Sequence, residues 1–209
     1  MNSSLLFNIY EMSDFTKDQF IHFWGQTGYT ETWDGYEKNW TPEIMQMIHD
    51  HINPQSTVLE IGCGSGYWTY KIAPLCSKMY AIDLIPNPQL PTNVTYIEND
   101  DQEFKCKTIE DESIDFVFSF GVFCHLSLSA CELYLQDILR VLKPNGKALL
   151  MYGDEHGLQK HFKDPNLTCE AVGWKYNTYE DTMQMVSKYP VKATKMLDYR
   201  DTLLLITYT

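Results

Sequence analysis

The chain has 209 residues, 44% hydrophobic and 21% charged, the make-up of a single ordinary globular domain. Sixteen basic against twenty-eight acidic residues leave a formal charge of −12, and only Arg140 and Arg200 carry guanidinium groups. This argues against the basic stripe that a nucleic-acid partner requires. Six scattered cysteines without a C-x-x-C pair argue against a zinc site or a disulfide framework, and for reduced thiols in the cytoplasm. The opening MNSSLLFNIYEMSD lacks the basic and apolar regions of a signal peptide, and the longest apolar stretch, residues 116–126, is too short to cross a membrane.

Residues 1–53 are set apart by ten aromatics in the first forty positions. Asp14 is placed to cap a helix reaching Trp24, and Thr41-Pro42 supplies a cap and a first-turn proline for a second helix over 42–52. That segment reads as an N-terminal helical cap, with 54–209 as the core. From Thr57 the pattern changes to short apolar runs at 57–61, 79–83, 94–98, 114–120 and 147–152, which read as buried strands. Helices are predicted over 67–75 and, opened by the capping box Ser129-Ala-Cys-Glu132, as far as Leu142. Lys143-Pro-Asn-Gly146 reads as a turn, and Tyr152-Gly-Asp154-Glu-His156-Gly as a loop. Thr178 caps a helix to about Lys188, followed by strands at 191–198 and 202–208 close enough to form an antiparallel hairpin. The sum is a doubly wound α/β fold: a mostly parallel seven-stranded sheet with N-terminal helices and an antiparallel C-terminal hairpin.

In such a sheet a ligand lies beyond the carboxyl ends of the strands, at the point where the strand order reverses. The stretch Glu60-Ile-Gly62-Cys-Gly64-Ser-Gly66 occupies that place after the first strand. Glycine there allows positive φ and removes a Cβ that would obstruct a ligand. Tyr67 stands where a dinucleotide fingerprint needs its third glycine, and no Gly-Lys-Ser/Thr closes the loop as a P-loop would.

The E-x-G-x-G-x-G pattern resembles that of the class I S-adenosylmethionine-dependent methyltransferases, a Rossmann-like family. The resemblance extends to Asp83 at the end of the second strand, seventeen residues past Gly66, and to Asn99-Asp100-Asp101 after the third. It also takes in Ile114–Leu126 at the fourth strand and Leu142–Gly146 before the fifth. It implies a cofactor site of Glu60, Gly62, Gly64, Gly66, Asp83 for the ribose hydroxyls, Leu84 against the adenine, Asp100 or Asp101 for its amino group, and Phe120 at the fourth strand. It implies S-adenosylmethionine as cofactor, S-adenosylhomocysteine as product, and no metal.

Methyl transfer to an alcohol needs alignment and removal of the hydroxyl proton. His125, just beyond the fourth strand, is the first base candidate. Asp154 and His156, beyond the fifth, are candidates for base, orienting acid or acceptor contact. Tyr29, Trp33, Tyr36 and Trp174 are candidates to stack on an acceptor. The expected function is methylation of a small molecule at oxygen, a sugar or sugar nucleotide first. N-methylation of a small amine or protein terminus is the alternative within the same chemistry. A non-catalytic S-adenosylmethionine-binding interaction module is the alternative outside it.

Overall fold

The computed structural model describes residues 41–84, 89–99, 106, 108–198 and 201–209. The helix expected after Asp14 lies outside these residues.

Helix α1 (Thr41–His49) leads to β1 (Thr57–Ile61), a short helix α2 (Thr69–Ile72) and β2 (Lys78–Asp83). Then come β3 (Val94–Glu98), β4 (Ile114–Ser119), helix α3 (Leu128–Val141) and β5 (Leu142–Gly153). Helices α4 (Glu155–Phe162) and α5 (Tyr179–Val186) precede β6 (Val191–Asp198) and β7 (Asp201–Tyr208). The seven strands form one sheet in the order β3-β2-β1-β4-β5-β7-β6. The first five are parallel, and β7 runs antiparallel to both β5 and β6. This is the mixed doubly wound sheet expected from the sequence.

Alternation along the strands explains why helices cover both faces. In β1 and β4, Val58, Phe116 and Phe118 face one way, packed with Ile44 and Ile48 of α1, Trp68, Ile72 of α2 and Leu158 of α4. Leu59, Ile61 and Val117 face the other, packed with Leu135 and Ile138 of α3 and with Met185 and Val186 of α5. A parallel strand buried on both sides must be apolar at nearly every position, as these are. Full burial of each such side chain is worth roughly 1.5–3 kcal/mol.

Three local expectations change. Helix α3 is capped by Ser127, not Ser129: Ser127 is extended (φ −63°, ψ 156°) and its Oγ accepts from Ala130 N at 3.3 Å. Starting two residues earlier lets Leu128 pack on the core. The turn Lys143–Gly146 does not separate α3 from β5 but bulges out of it. Leu142 pairs with Ile114 and Lys147 with Phe116, so four residues stand opposite Asp115 alone. The predicted loop after Tyr152 holds helix α4, despite Gly157, because Leu158 is driven into the core. Tertiary burial outweighs the roughly 1 kcal/mol that an interior glycine costs a helix.

Candidate functional site

The chain runs outward from β1 through β2 to β3, then crosses to β4 on the other side of β1. The crevice opened by this reversal lies at the carboxyl ends of β1 and β4. Two contacts set its floor. Ser119 Oγ, fully buried at the end of β4, donates to Ile61 O at the end of β1, 2.9 Å away. Next to it, Gly62 has φ +77°, and a Cβ built there would lie 2.0 Å from Val122 Cγ2. Glycine is therefore required at 62 both by backbone sign and by space. Gly64 (φ +51°) and Gly66 (φ +91°) carry the loop onward in the same left-handed region.

Asp83 ends β2 beside this loop. Its Oδ2 accepts from Gly64 N at 2.7 Å, and its main-chain carbonyl accepts from Tyr96 Oη at 2.9 Å and Asn99 N at 2.8 Å. The residue is thus held at side chain and backbone together, and remains partly exposed. Leu84 follows it, also partly exposed. Glu60 is 1% exposed, and its Oε2 accepts from Thr69 Oγ1 at 2.5 Å, tying β1 to the first turn of α2. Burial pushes the Cys63 thiol far above its ordinary range, and the Glu60 and Asp83 charges add to that effect. The thiol in the loop is therefore protonated and unreactive. Phe120 packs against Trp68, ring centroids 5.4 Å apart.

On the β4–β5 side, the single turn Phe123–His125 carries His125. Its Nδ1 lies 2.9 Å from Gly173 O. A carbonyl only accepts, so Nδ1 bears the hydrogen, and in the neutral ring the lone pair is on Nε2. The segment that supplies Gly173 is laced to the same turn by Lys175 N donating to Cys124 O (2.8 Å) and Asn177 Nδ2 to Leu126 O (3.4 Å).

The other expected residues are placed less uniformly. Asp154 is only 3% exposed, with Oδ2 accepting from Thr202 Oγ1 at 3.0 Å and Oδ1 from Tyr179 N at 3.4 Å. Its carboxylate joins β5, β7 and the start of α5. Trp174, 4% exposed, packs within the apolar layer beside Cys124 and Gly153 rather than standing open to an acceptor. His156 is 66% exposed, its Nδ1 3.5 Å from Glu180 Oε2. Tyr29, Trp33, Tyr36, Asp100 and Asp101 lie outside the described residues. Among the described residues no three His, Cys, Asp or Glu side chains gather as a metal site would need.

Val122, Ser119, Tyr96 and the Gly173 carbonyl were not anticipated. Each acts through a partner far along the chain, 58 residues away for Ser119 and 48 for Gly173, and no local pattern reports such a pairing.

A family model described as a methyltransferase domain matches residues 59–150, the stretch that builds this crevice. The chain belongs to the class I S-adenosylmethionine-dependent methyltransferases. An uncharacterised methyltransferase of Schizosaccharomyces pombe is 34% identical over 168 residues, covering 72% of this chain and 61% of that one. Phosphoethanolamine N-methyltransferase 1 of Triticum aestivum is 29% identical over 167 residues, 69% of this chain and 33% of the relative. O-methyltransferase 3 of Dictyostelium discoideum is 26% identical over 135 residues, 58% and 30%. The chain thus spans less than two thirds of the length of these curated relatives. Among solved structures, the 1,6-didemethyltoxoflavin-N1-methyltransferase of Burkholderia thailandensis, bound to 1,6-didemethyltoxoflavin and S-adenosylhomocysteine, superposes with a TM-score of 0.69. It is 13% identical, covering 100% of this methyltransferase and 93% of that chain, a likeness of fold.

Proposed function

We propose that this methyltransferase transfers the methyl group of S-adenosylmethionine to a hydroxyl oxygen of a small molecule, with His125 as the base. The observation that carries the reading is the His125 Nδ1–H to Gly173 O bond, which leaves the basic lone pair of the neutral ring on Nε2, an atom shielded from bulk water. The residues fit the cofactor. Gly62, Gly64 and Gly66 turn the loop through the left-handed region at the strand reversal, and Asp83 is a fixed carboxylate of the kind that accepts from a vicinal diol. When bound, the cofactor supplies an electrophilic methyl group on sulfur.

The chain does the rest. The glycine loop and Asp83 orient the nucleoside, and alignment of the acceptor is the main source of rate. His125 accepts the hydroxyl proton as the new C–O bond forms, which contributes roughly 10²–10⁴-fold. Asp154 we assign to tying the end of β5 to β7 and to the start of α5, and Trp174 to packing beside Cys124 of the turn that carries His125. His156, exposed beside Glu180, we assign to acceptor contact. Arg140 is committed to Asp111 and Asp137, which leaves a diphosphate without that guanidinium, so a plain sugar or other polyol is favoured over a sugar nucleotide. The six cysteines, all free and buried, suit a reducing, cytoplasmic setting.

A second reading is transfer to a small amine, which the names of the wheat relative and of the Burkholderia enzyme favour. A neutral amine already has its lone pair and needs no base.

The test is transfer from labelled S-adenosylmethionine to a panel of alcohols and amines. With an alcohol, His125→Ala lowers kcat by at least a hundredfold, abolishes the acid limb of the pH–rate profile and leaves S-adenosylhomocysteine affinity unchanged. Transfer to amines alone, indifferent to His125→Ala, overturns the oxygen reading. Cofactor binding with no transfer to any acceptor points to an interaction module.

A further inference from the structure

The sheet carries a second hollow at the edge opposite the crevice. It encloses about 460 Å³, within the range of small-molecule sites. Its walls are the end of α1 with the turn into β1, Asp115 of β4, and the bulge of β5 that runs into Lys147.

The hydrogen-bond balance of this hollow is one-sided. The Asp115 carboxylate is committed: both of its oxygens lie 2.8 Å from Lys143 Nζ, and Oδ2 also accepts from Thr57 N. Asp50 Oδ1 accepts from Gln46 Nε2 at 2.9 Å. The donors are not. Lys147 Nζ spends one hydrogen on His51 Nδ1 at 3.2 Å, and no carboxylate among the described residues pairs with it. Ser56, 3% exposed, uses its Oγ as acceptor for Asn53 N, which leaves its own O–H over. Surplus donors around a cation call for an anionic acceptor. No guanidinium fork is present to select a planar carboxylate, whereas a lysine point charge with donors from several elements suits a tetrahedral oxyanion.

We infer that this hollow binds a small phosphate-bearing ligand, held by Lys147 and Ser56, at a site separate from the cofactor crevice. His51 couples the site to protons. Burial and the Lys147 charge lower its pKa, with Asp50 opposing, so without ligand the ring is neutral and accepts from Lys147. An anion lodged against Lys147 offsets the charge of that lysine and attracts the imidazolium directly. The charged groups around the ring are Lys147 from β5, Asp50 from the end of α1, and the mutually paired Asp115 and Lys143. Binding therefore raises the His51 pKa, and by linkage tightens as pH falls through the range where His51 protonates.

The experiment titrates inorganic phosphate into the labelled protein at constant ionic strength while following the His51 ring resonances, with acetate and chloride as parallel arms. Saturable shifts with phosphate are expected, with affinity at least tenfold weaker in Lys147→Met and S-adenosylhomocysteine binding unchanged in that variant. His51→Gln keeps a neutral side chain; the difference in pH dependence between it and the wild type cancels the ionisation of phosphate itself and is expected to be positive toward acid. Thermal unfolding checks both variants, and His51→Gln carries the test should Lys147→Met not fold. A linear response, equal affinity in Lys147→Met, or no difference in pH dependence between wild type and His51→Gln overturns the proposal. Acetate saturating as well as phosphate overturns the choice of ligand class.

Discussion

Asp83 and Gly62 carry the sharpest demands at the scale of single residues. The Asp83 carboxylate is already held by Gly64 N, so it needs no reordering to meet a ribose. Asp83→Ala is expected to weaken S-adenosylhomocysteine by roughly 1–3 kcal/mol, about fivefold to 150-fold, in calorimetry. Unchanged affinity would remove Asp83 from the site. Gly62→Ala meets two obstacles at once: positive φ costs about 1–2 kcal/mol, and crowding against Val122 costs roughly 1–3 kcal/mol more. A lower melting temperature and lost cofactor binding are expected. The double variant Gly62→Ala/Val122→Ala should recover part of the melting temperature, and a failure to do so would show that Val122 is not the obstacle.

At the scale of elements, Asp154 shows how a sequence motif and a structural role diverge. In the chain it stands in Gly-Asp-Glu-His, between a strand and a glycine, where an acid reads as acceptor chemistry. In the fold it bridges Thr202 of β7 and the first turn of α5 from the end of β5. Asp154→Ala strands the Thr202 hydroxyl, which is fully buried, and is expected to cost about 1–3 kcal/mol of stability. Denaturant midpoints measure this, and kcat at a temperature where the variant stays folded should change little. A large kcat loss with stability intact would restore Asp154 to the chemistry.

The strands and the glycine loop were legible because their causes are local: Val58, Leu59 and Ile61, and Phe116 to Phe118, supply apolar side chains to both faces, and Gly62, Gly64 and Gly66 sit at a fixed distance from them. Helix α4 and the β5 bulge were not. Their causes are Leu158 meeting the core, and Ile114 claiming Leu142 five residues before Lys147 takes up the pairing again. Neither is visible within a ten-residue window. The site divides the same way: Asp83 follows from spacing, while the Gly173 carbonyl that orients His125 is known only once the chain has folded.

Taken whole, the molecule stores several protons that the unfolded chain gives up sooner. Burial raises Cys131 and Cys169 from 9.0 to about 12 and Cys76 to about 11, and it pushes the Tyr134 and Tyr152 hydroxyls well above their ordinary range. A raised folded pKa means that the contribution is complete below the unfolded value and is lost as pH rises toward the folded one. Above about pH 9 the unfolded chain binds fewer protons than the native state, so stability falls with each step upward. Calorimetric melting temperatures should be level near neutrality and decline between about pH 9 and 11. Native protein should resist thiol reagents at pH 8 until denatured, when all six cysteines react. Rapid modification of the native state would contradict the burial described.

The position of β7 has a bearing on how the molecule comes into being. The ribosome makes this strand after β6, yet it lies inside the sheet, between β5 and β6. A nascent polypeptide halted at residue 200 would leave one rim of β5 bare and β6 with nowhere to dock, however well the nucleoside crevice had already formed. Completion of the sheet therefore waits on the synthesis of residues 201–208, and until they slot in, that open rim is the place where chaperones or other unfinished chains would attach.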